Sequence, residues 1–498
     1  MLNPPKGQGL EGLVSEDFAR QYGVLPLARH LNSLTVACVN PLNIITMDNL
    51  SRLTGCEINP VVTTRQDLES AIDAFYGAGS MLKAAIDRSY HLAEGQEQPI
   101  LEEGSLDQLK RAAEEPPVIR LVDLVVREAV RRRASDIHLE PFNDTITLRY
   151  RIDGKLYEIA PPAKALHAAL VSRVKILCKM DIAEKRLPQD GGFTMRLDQQ
   201  TVDFRVSTVP TIYGEKVAIR LLQKSPELLQ LGHLGFTERE LEIFRKAVHQ
   251  PMGFILIAGP TGSGKTTTLY AVLNEIRSQA MNLMTVEDPV EYRLEGVNQV
   301  QIRPSIGLTF ASGLRAFLRQ DPDVIMVGEV RDQETAEICV RAALTGHLVL
   351  TTVHTNDAPS AVIRFIEIGL PTYLLSSTLS VVCAQRLLRR LCESCREAFE
   401  PLPEIRKRYG IQEELLYRHK GCEKCEQTGY LGRVGVYEVM SMTRPLRDLI
   451  AKGVSTHELR EAAVQSGMAG LWDAGLRKVC AGVTSLEELE SVVILEPE

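Results

Sequence analysis

A multidomain α/β protein is the fold class that the sequence predicts, and three observations predict it. Strand-like apolar runs alternate with helix-spaced stretches through the middle of the chain. The runs at 253–258, 324–327 and 348–353 are short and continuously apolar, the pattern of strands buried on both faces. The length of 498 residues corresponds to about three or four domains of ordinary size.

The stretch that anchors the prediction is Gly259, Pro260, Thr261, Gly262, Ser263, Gly264, Lys265, Thr266, which fits G-x-x-x-x-G-K-[ST]. A strand-like run precedes it. A helix-spaced stretch begins at Thr267, with Leu269, Val272, Leu273 and Ile276 on one face. In that context the glycines let backbone N–H groups turn onto phosphate oxygens, and the helix start adds partial positive charge. Lys265 is expected to neutralise the β/γ phosphates of ATP and Thr266 to ligate Mg²⁺. Downstream, 284–286 leads into Glu287, Asp288 and Glu291, carboxylates placed to hold Mg²⁺ or orient water. The run 324–327 ends in Gly328-Glu329, a buried strand with an acid at its tip, so Glu329 is expected to serve metal-bound or attacking water. The strand at 348–353 is flanked by His347 and His354. They are readable as γ-phosphate donors or as ordinary buried histidines.

Upstream of this core (248–385) the chain reads as separate modules. Residues 1–80 form a small α/β domain with a strand at 34–39, a helix near 44–53 and an amphipathic stretch at 64–76. It carries no catalytic constellation, and Cys38 and Cys56 read as buried apolar groups. Residues 81–117 are rich in acids, close on Pro116-Pro117 and read as a solvated linker. Residues 118–225 open with a helix whose apolar face is Val118, Leu121, Val122, Val125, Val126 and Ala129. Strands follow at 135–140, 145–152, 201–208 and 216–222, an α+β pattern. Arg149, Arg151, Arg205 and Arg220 lie on them, which together suggests an anionic surface to be met. Arg131-Arg132-Arg133 reads better as cations at a helix C-terminus than as a nucleic-acid patch. Residues 226–247 are a connector holding a helix capped by Thr237.

Cys392-x-x-Cys395 and Cys422-x-x-Cys425, separated by the 26 residues 396–421, are paired knuckles of a four-thiolate Zn²⁺ site in an insertion at 386–433. All four ligands come from protein, so the site is structural. A redox pair is the less favoured alternative. Residues 434–498 end the chain in helices starting near Ser455 and Ser485, with Trp472 in the core.

Net charge is −7, which gives no support to nucleic-acid binding. No apolar run approaches the roughly 20 residues needed to cross a bilayer, and residues 1–7 lack the apolar core of a signal peptide. The expectation is a soluble, cytoplasmic protein, reaching a membrane only through partners, with its ten cysteines reduced.

Residues 318–332, Leu-Arg-Gln-Asp-Pro-Asp-Val-Ile-Met-Val-Gly-Glu-Val-Arg-Asp, resemble the signature of the secretion ATPase superfamily. With the phosphate loop, the acidic box 287–291 and the histidine box 347–354 in the same order, the chain from 118 onward is similar to the assembly ATPases of type II secretion and of type IV pili. The resemblance implies a RecA-like P-loop ATPase core behind a PAS-like second domain. It implies a homo-hexamer, nucleotide bound between the two large domains, and phosphate or inter-subunit contacts from Arg205, Arg220, Arg315 and Arg319. Gly328 in place of the usual Asp is the family's own pattern. The family's assembly motors carry a four-cysteine insertion that the retraction motors generally lack. The resemblance also makes the first domain a docking module for the cytoplasmic domain of an inner-membrane secretion protein, with an inner-membrane platform protein as a further partner. The remaining classes are a nucleic-acid motor and a non-hydrolysing nucleotide scaffold. Charge counts against the first, and Lys265 together with Glu329 counts against the second.

Overall fold

The computed structural model describes residues 10–494 except 11–12, 15, 31–32, 66, 69–70, 73–74, 76–81, 83–84, 87–88, 91–105, 198–199 and 223–228. The amphipathic stretch at 64–76, the acidic linker and the start of the connector therefore lie partly outside the described residues. The chain divides into two compact units, Met1–Gln223 and Lys224–Glu498.

The first unit contains two hydrophobic cores. The smaller lies under a three-stranded sheet of Val24–His30, Ser33–Cys38 and Glu57–Val62, backed by the helix Ile44–Thr54. Cys38 and Cys56 are buried in it, as expected of small apolar side chains. The larger core lies under a six-stranded antiparallel sheet in the order Lys155–Ile159, Ile146–Ile152, Ala134–Pro141, Gly214–Leu222, Gln200–Thr211, Gln189–Leu197. The helices Pro116–Arg131 and His167–Cys178 cover one face. Strand alternation puts Ile137, Leu139, Val217 and Ile219 inward and leaves Asp136, His138, Glu140 and the arginines on the other face. Part of the stretch read as linker is structured. Leu82 and Ile86 belong to this core, and a helix spans Leu106–Ala113 with Leu109 and Ala112 buried. The Arg131–Arg133 run ends the first helix as expected. Arg131 and Arg132 both bond the buried Glu128, at 2.7–2.8 Å and 2.6 Å.

The second unit is built on a seven-stranded sheet in the order Asn298–Gln301, Leu283–Glu287, Val324–Val327, Leu348–Val353, Gly253–Ala258, Leu379–Leu391, Tyr430–Ser441. The first six strands run parallel and the last is antiparallel. Every residue of Gly253–Ala258, Val324–Val327 and Leu348–Val353 is buried, because helices pack on both faces. The order departs from chain order so that the phosphate-loop strand lies between Leu348–Val353 and Leu379–Leu391, the kind of switch point at which open α/β sheets bind ligands. The last two strands are the arms of one long hairpin, and the four cysteines sit at its tip. The core sheet thus extends to Ser441, past the boundary at 385 that residue patterns suggest. The buried pair Arg389–Glu488, with the Arg389 guanidinium 3.8 Å from the Tyr430 ring centre, ties the final helix to the base of that tip.

Candidate functional site

The carboxyl ends of the parallel strands form one rim, and most of the core's predicted residues lie on it. The phosphate loop leaves Ala258 and enters the helix Lys265–Ile276, with Gly264 at φ +90° as its cap. A Cβ on Gly259 would sit 2.5 Å from Ser263 Oγ and 2.7 Å from the Gln385 carbonyl, so only glycine allows the turn. Ser263 Oγ is buried with no hydrogen-bond partner among the described residues, which suits a loop shaped to take an anion's oxygens. Lys265 is buried, and among the described residues its ammonium donates only to loop carbonyls, Gly259 O at 2.7 Å and Pro260 O at 3.0 Å. Burial pushes its pKa down to about 8 against the pull of Glu329, and Arg386 pushes the same way. A buried cation that meets only neutral oxygens is stabilised by an arriving polyanion. Thr266 and Thr267 open the same helix, while Thr268 is already committed, donating to Gln385 Oε1 at 2.8 Å.

Glu329 follows the buried strand Val324–Val327 and projects into this region, its side chain 16% exposed. His354 Nε2 lies 3.0 Å from Glu329 Oε2, and Arg331 pairs with Glu329 Oε1. Arg331 also lies 3.8 Å from Asp288. The carboxylate thus acts on Lys265 by charge and meets two further cationic or donor groups.

The surroundings of Glu287 and His347 differ from what was expected. Glu287 was expected beside the phosphates. It is buried with both oxygens occupied: Tyr270 OH donates to one, and Thr285 Oγ1 (2.6 Å) and Gln299 Nε2 (3.1 Å) donate to the other. It braces the helix after the loop against the neighbouring strand. The Glu291 amide donates to that same Tyr270 hydroxyl at 3.3 Å, while Asp288 of the same box lies near Arg331. His347 was expected to share a site with His354. The two flank opposite ends of one strand. Gly253 N–H, at the start of the loop strand, donates to His347 O, while Gly259 N–H, at its end, donates to Val353 O. Six residues of strand separate the rims by roughly 20 Å, and His347 Nδ1 is engaged with Ala342 O at 2.9 Å.

Arg315 pairs with Glu334 in the first turn of the helix that follows Glu329, and Arg319 donates to Arg315 O at 2.7 Å. In the other unit, Arg205 lies directly opposite Arg220 on the neighbouring strand. Arg220 lies opposite Asp136, and Asp136 opposite Arg151. Asp136 receives Arg220 at 3.0 Å and Arg151 at 3.6 Å, so one carboxylate stands in a row with three guanidinium groups. Residue patterns did not single out Arg331, Gln385 or Arg386. Arg331 stood in the quoted 318–332 signature, one residue past the valine that follows Glu329. The other two lie on a strand whose charges hid it.

The cysteines converge as their spacing predicts. The four sulfurs all lie within 4.8 Å of one another, with Cys392–Cys422 at 3.9 Å, Cys395–Cys425 at 3.7 Å and Cys422–Cys425 at 3.7 Å. A tetrahedron with Zn–S bonds of about 2.3 Å has edges of about 3.8 Å, so the donor set fits Zn²⁺. The amides of Cys422 and Gly429 donate to Cys425 Sγ, each at 3.2 Å, as thiolate ligands require.

Comparison with known proteins agrees with this geometry. A family described as "Type II/IV secretion system protein" matches residues 111–491, and the MshEN domain matches residues 7–82. The chain is 43% identical over 485 residues to a type IV pilus assembly ATPase, PilB, of Myxococcus xanthus, covering 96% of this chain and 85% of that protein. It is 41% identical over 491 residues to a type II secretion system protein E of Xanthomonas campestris, covering 97% and 85%. Among solved structures, the pilus retraction motor PilT with bound ADP aligns over 74% of this chain and 95% of its own, at 27% identity and a TM-score of 0.50. The ATPase DotB of Legionella pneumophila aligns over 74% and 94% at a TM-score of 0.56, and at 20% identity it speaks for the fold alone. With the family match spanning well over half its length, the chain belongs to the type II/IV secretion system protein family, as a secretion ATPase.

Proposed function

We propose that this chain forms a homo-hexamer on the cytoplasmic face of an inner membrane and hydrolyses ATP to drive pseudopilus assembly and protein export by type II secretion. The observation that carries the hydrolytic part is the convergence of Lys265, Glu329 and His354 on one rim. In this reading Lys265 leaves the carbonyls of Gly259 and Pro260 for the β/γ phosphates. Thr266 would hold Mg²⁺, which supplies charge neutralisation there. Glu329, oriented by His354, takes the proton of the attacking water. Arg205 and Arg220 serve the site of a neighbouring subunit. The two arginines lie directly opposite each other across a strand pair, so one anion delivered to that face meets both. The four cysteines hold Zn²⁺ and stiffen the hairpin tip. The small N-terminal domain recruits the motor through the cytoplasmic domain of an inner-membrane protein, and an inner-membrane platform protein receives the motion.

Lys265→Ala should lose ATP binding. Glu329→Gln should bind ATP and turn it over at least about 10²-fold more slowly. Near-normal turnover by Glu329→Gln would remove the proposed base. Deleting residues 1–80 should release the protein from membranes and keep basal hydrolysis, and unchanged membrane association would move the docking role elsewhere. The second reading is a type IV pilus assembly motor, favoured by the Myxococcus relative over 96% of this chain. Loss of secreted enzymes on gene deletion supports the first reading, and loss of pili with secretion intact supports the second.

A further inference from the structure

Behind the phosphate loop lies a buried guanidinium that the site as described does not use. Arg386 sits on the strand Leu379–Leu391 and is 8% exposed. Its Nη1 donates to Gln385 O at 3.0 Å, and its Nη2 donates to Asn356 O at 2.8 Å. Among the described residues no carboxylate forms an ion pair with it. Neither of the two acids whose charge it feels bonds to it. Asp357 accepts from Ser360 N–H and Oγ, both at 2.7 Å, and pairs with Arg460 at 3.1 Å. Glu438 accepts from Ala358 N–H at 2.7 Å. Burial lowers the pKa of Arg386 against the pull of both, so its charge is under-compensated. The Gln385 carbonyl that holds Arg386 also lies 2.7 Å from where a Cβ on Gly259 would stand, and the Gly259 carbonyl is the one that holds Lys265. Two buried cations therefore flank the first residue of the phosphate loop, and among the described residues both donate only to neutral oxygens.

We propose that Arg386 is a second cation of the phosphate site. It donates to a terminal phosphate of the bound nucleoside triphosphate and holds the 354–356 segment, with His354, against the loop. This rests on the reading of 259–266 as a nucleotide loop. The ligand class follows from the chemistry: a planar donor fork beside an ammonium and a glycine turn matches phosphate oxygens.

The test is equilibrium binding of fluorescent ATP, ADP and AMP to the full zinc-loaded chain. Arg386→Gln should weaken ATP on the order of tenfold, a single charge-assisted contact, and ADP less, with AMP unaffected. Arg386→Lys, which keeps the charge, should recover most of the ATP loss. Unchanged ATP affinity in Arg386→Gln, or an equal loss for all three nucleotides, overturns the proposal. The equal loss would mean a purely structural role. If Arg386→Gln does not fold, Arg386→Lys decides alone: a residual loss for ATP that exceeds the loss for ADP, from the lost donor fork, supports the proposal, and no loss or an equal loss overturns it. Lys265→Ala run in parallel separates the two readings. If it keeps full ATP binding, the nucleotide loop itself is misread. If it loses binding while Arg386→Gln does not, only the role of Arg386 fails.

Discussion

Glu438 offers a sharp test of the electrostatics inside the ATPase unit. It lies opposite Ala384 in the hairpin, 1% exposed, with one oxygen taking the Ala358 amide and the other lacking a well-formed partner. Burial pushes its carboxyl up from 4.5 to about 7. The Ala358 amide opposes the shift, Asp357 adds to it, and Arg460 and the Leu471 amide pull back. Between 4.5 and 7 the folded state holds a proton that the unfolded chain has released. The contribution to stability therefore falls as pH rises through that window. At 1.36 kcal/mol per pH unit, the full loss by pH 8 is about 3 kcal/mol. Glu438→Gln keeps an acceptor for Ala358 and has no charge to bury. Its stability relative to wild type should grow by about that amount between pH 4.5 and pH 8. Trp472, the chain's single tryptophan, sits one residue from Leu471 and reports local unfolding in urea by fluorescence. Taking the difference between the two proteins cancels every other titration, including loss of metal from thiolates at low pH. A difference that stays constant within about 1 kcal/mol across the range refutes the argument that burial holds this carboxyl up.

Four further outcomes follow from particular contacts. Lys265, held near 8 by burial, should regain its proton when phosphates arrive, so ATP binding at pH 9 should take up close to one proton. Calorimetry in buffers of different ionisation heat reads that uptake. Purified protein should contain about one Zn²⁺ per chain by elemental analysis, and Cys395→Ser or Cys422→Ser should raise hydrogen exchange between 392 and 429 while ATP still binds. Glu488→Ala strands the Arg389 guanidinium in a buried site and should cost about 3–5 kcal/mol, whereas the double replacement Arg389→Met with Glu488→Leu should recover much of it in urea titrations. Mixing Arg220→Ala with Lys265→Ala subunits should restore some turnover if fingers act between subunits, and mixed rings as inactive as either parent would place the finger within its own chain.

What the sequence makes legible here is what is local. The loop 259–266, the strand before it, the helix after it and the paired cysteines each carry their meaning within a few residues. What it hides depends on pairing. The strand Leu379–Leu391 carries Gln385, Arg386, Arg389 and Arg390, which look like solvent-facing charge. In the fold Gln385 backs the phosphate loop, Arg386 faces Asn356, and Arg389 is clamped by Glu488. The two histidines of the 347–354 box are close in sequence, yet an extended strand carries them to opposite rims. Only the knowledge that this strand runs parallel to Gly253–Ala258 shows that His354 alone belongs to the phosphate end.

The clearest case is the choice between two glutamates at the ends of adjacent parallel strands. Val286 pairs with Val327, and the Gly328 amide donates to Val286 O at 2.8 Å, so Glu287 and Glu329 leave the sheet side by side. Composition and strand context are nearly the same for both. Their surroundings differ. Glu287 is sealed at 2% exposure by a tyrosine, a threonine and a glutamine, all donating to it, so a proton taken up there would break bonds already made. Glu329 stays open enough to meet water and is held by His354 and Arg331, both exposed enough to move when phosphates compete for them. A general base needs access and a reversible hold, and a brace needs neither. On those grounds we assign the proposed hydrolytic role to Glu329. Glu287→Gln should then leave the pH profile of turnover in place and act through stability.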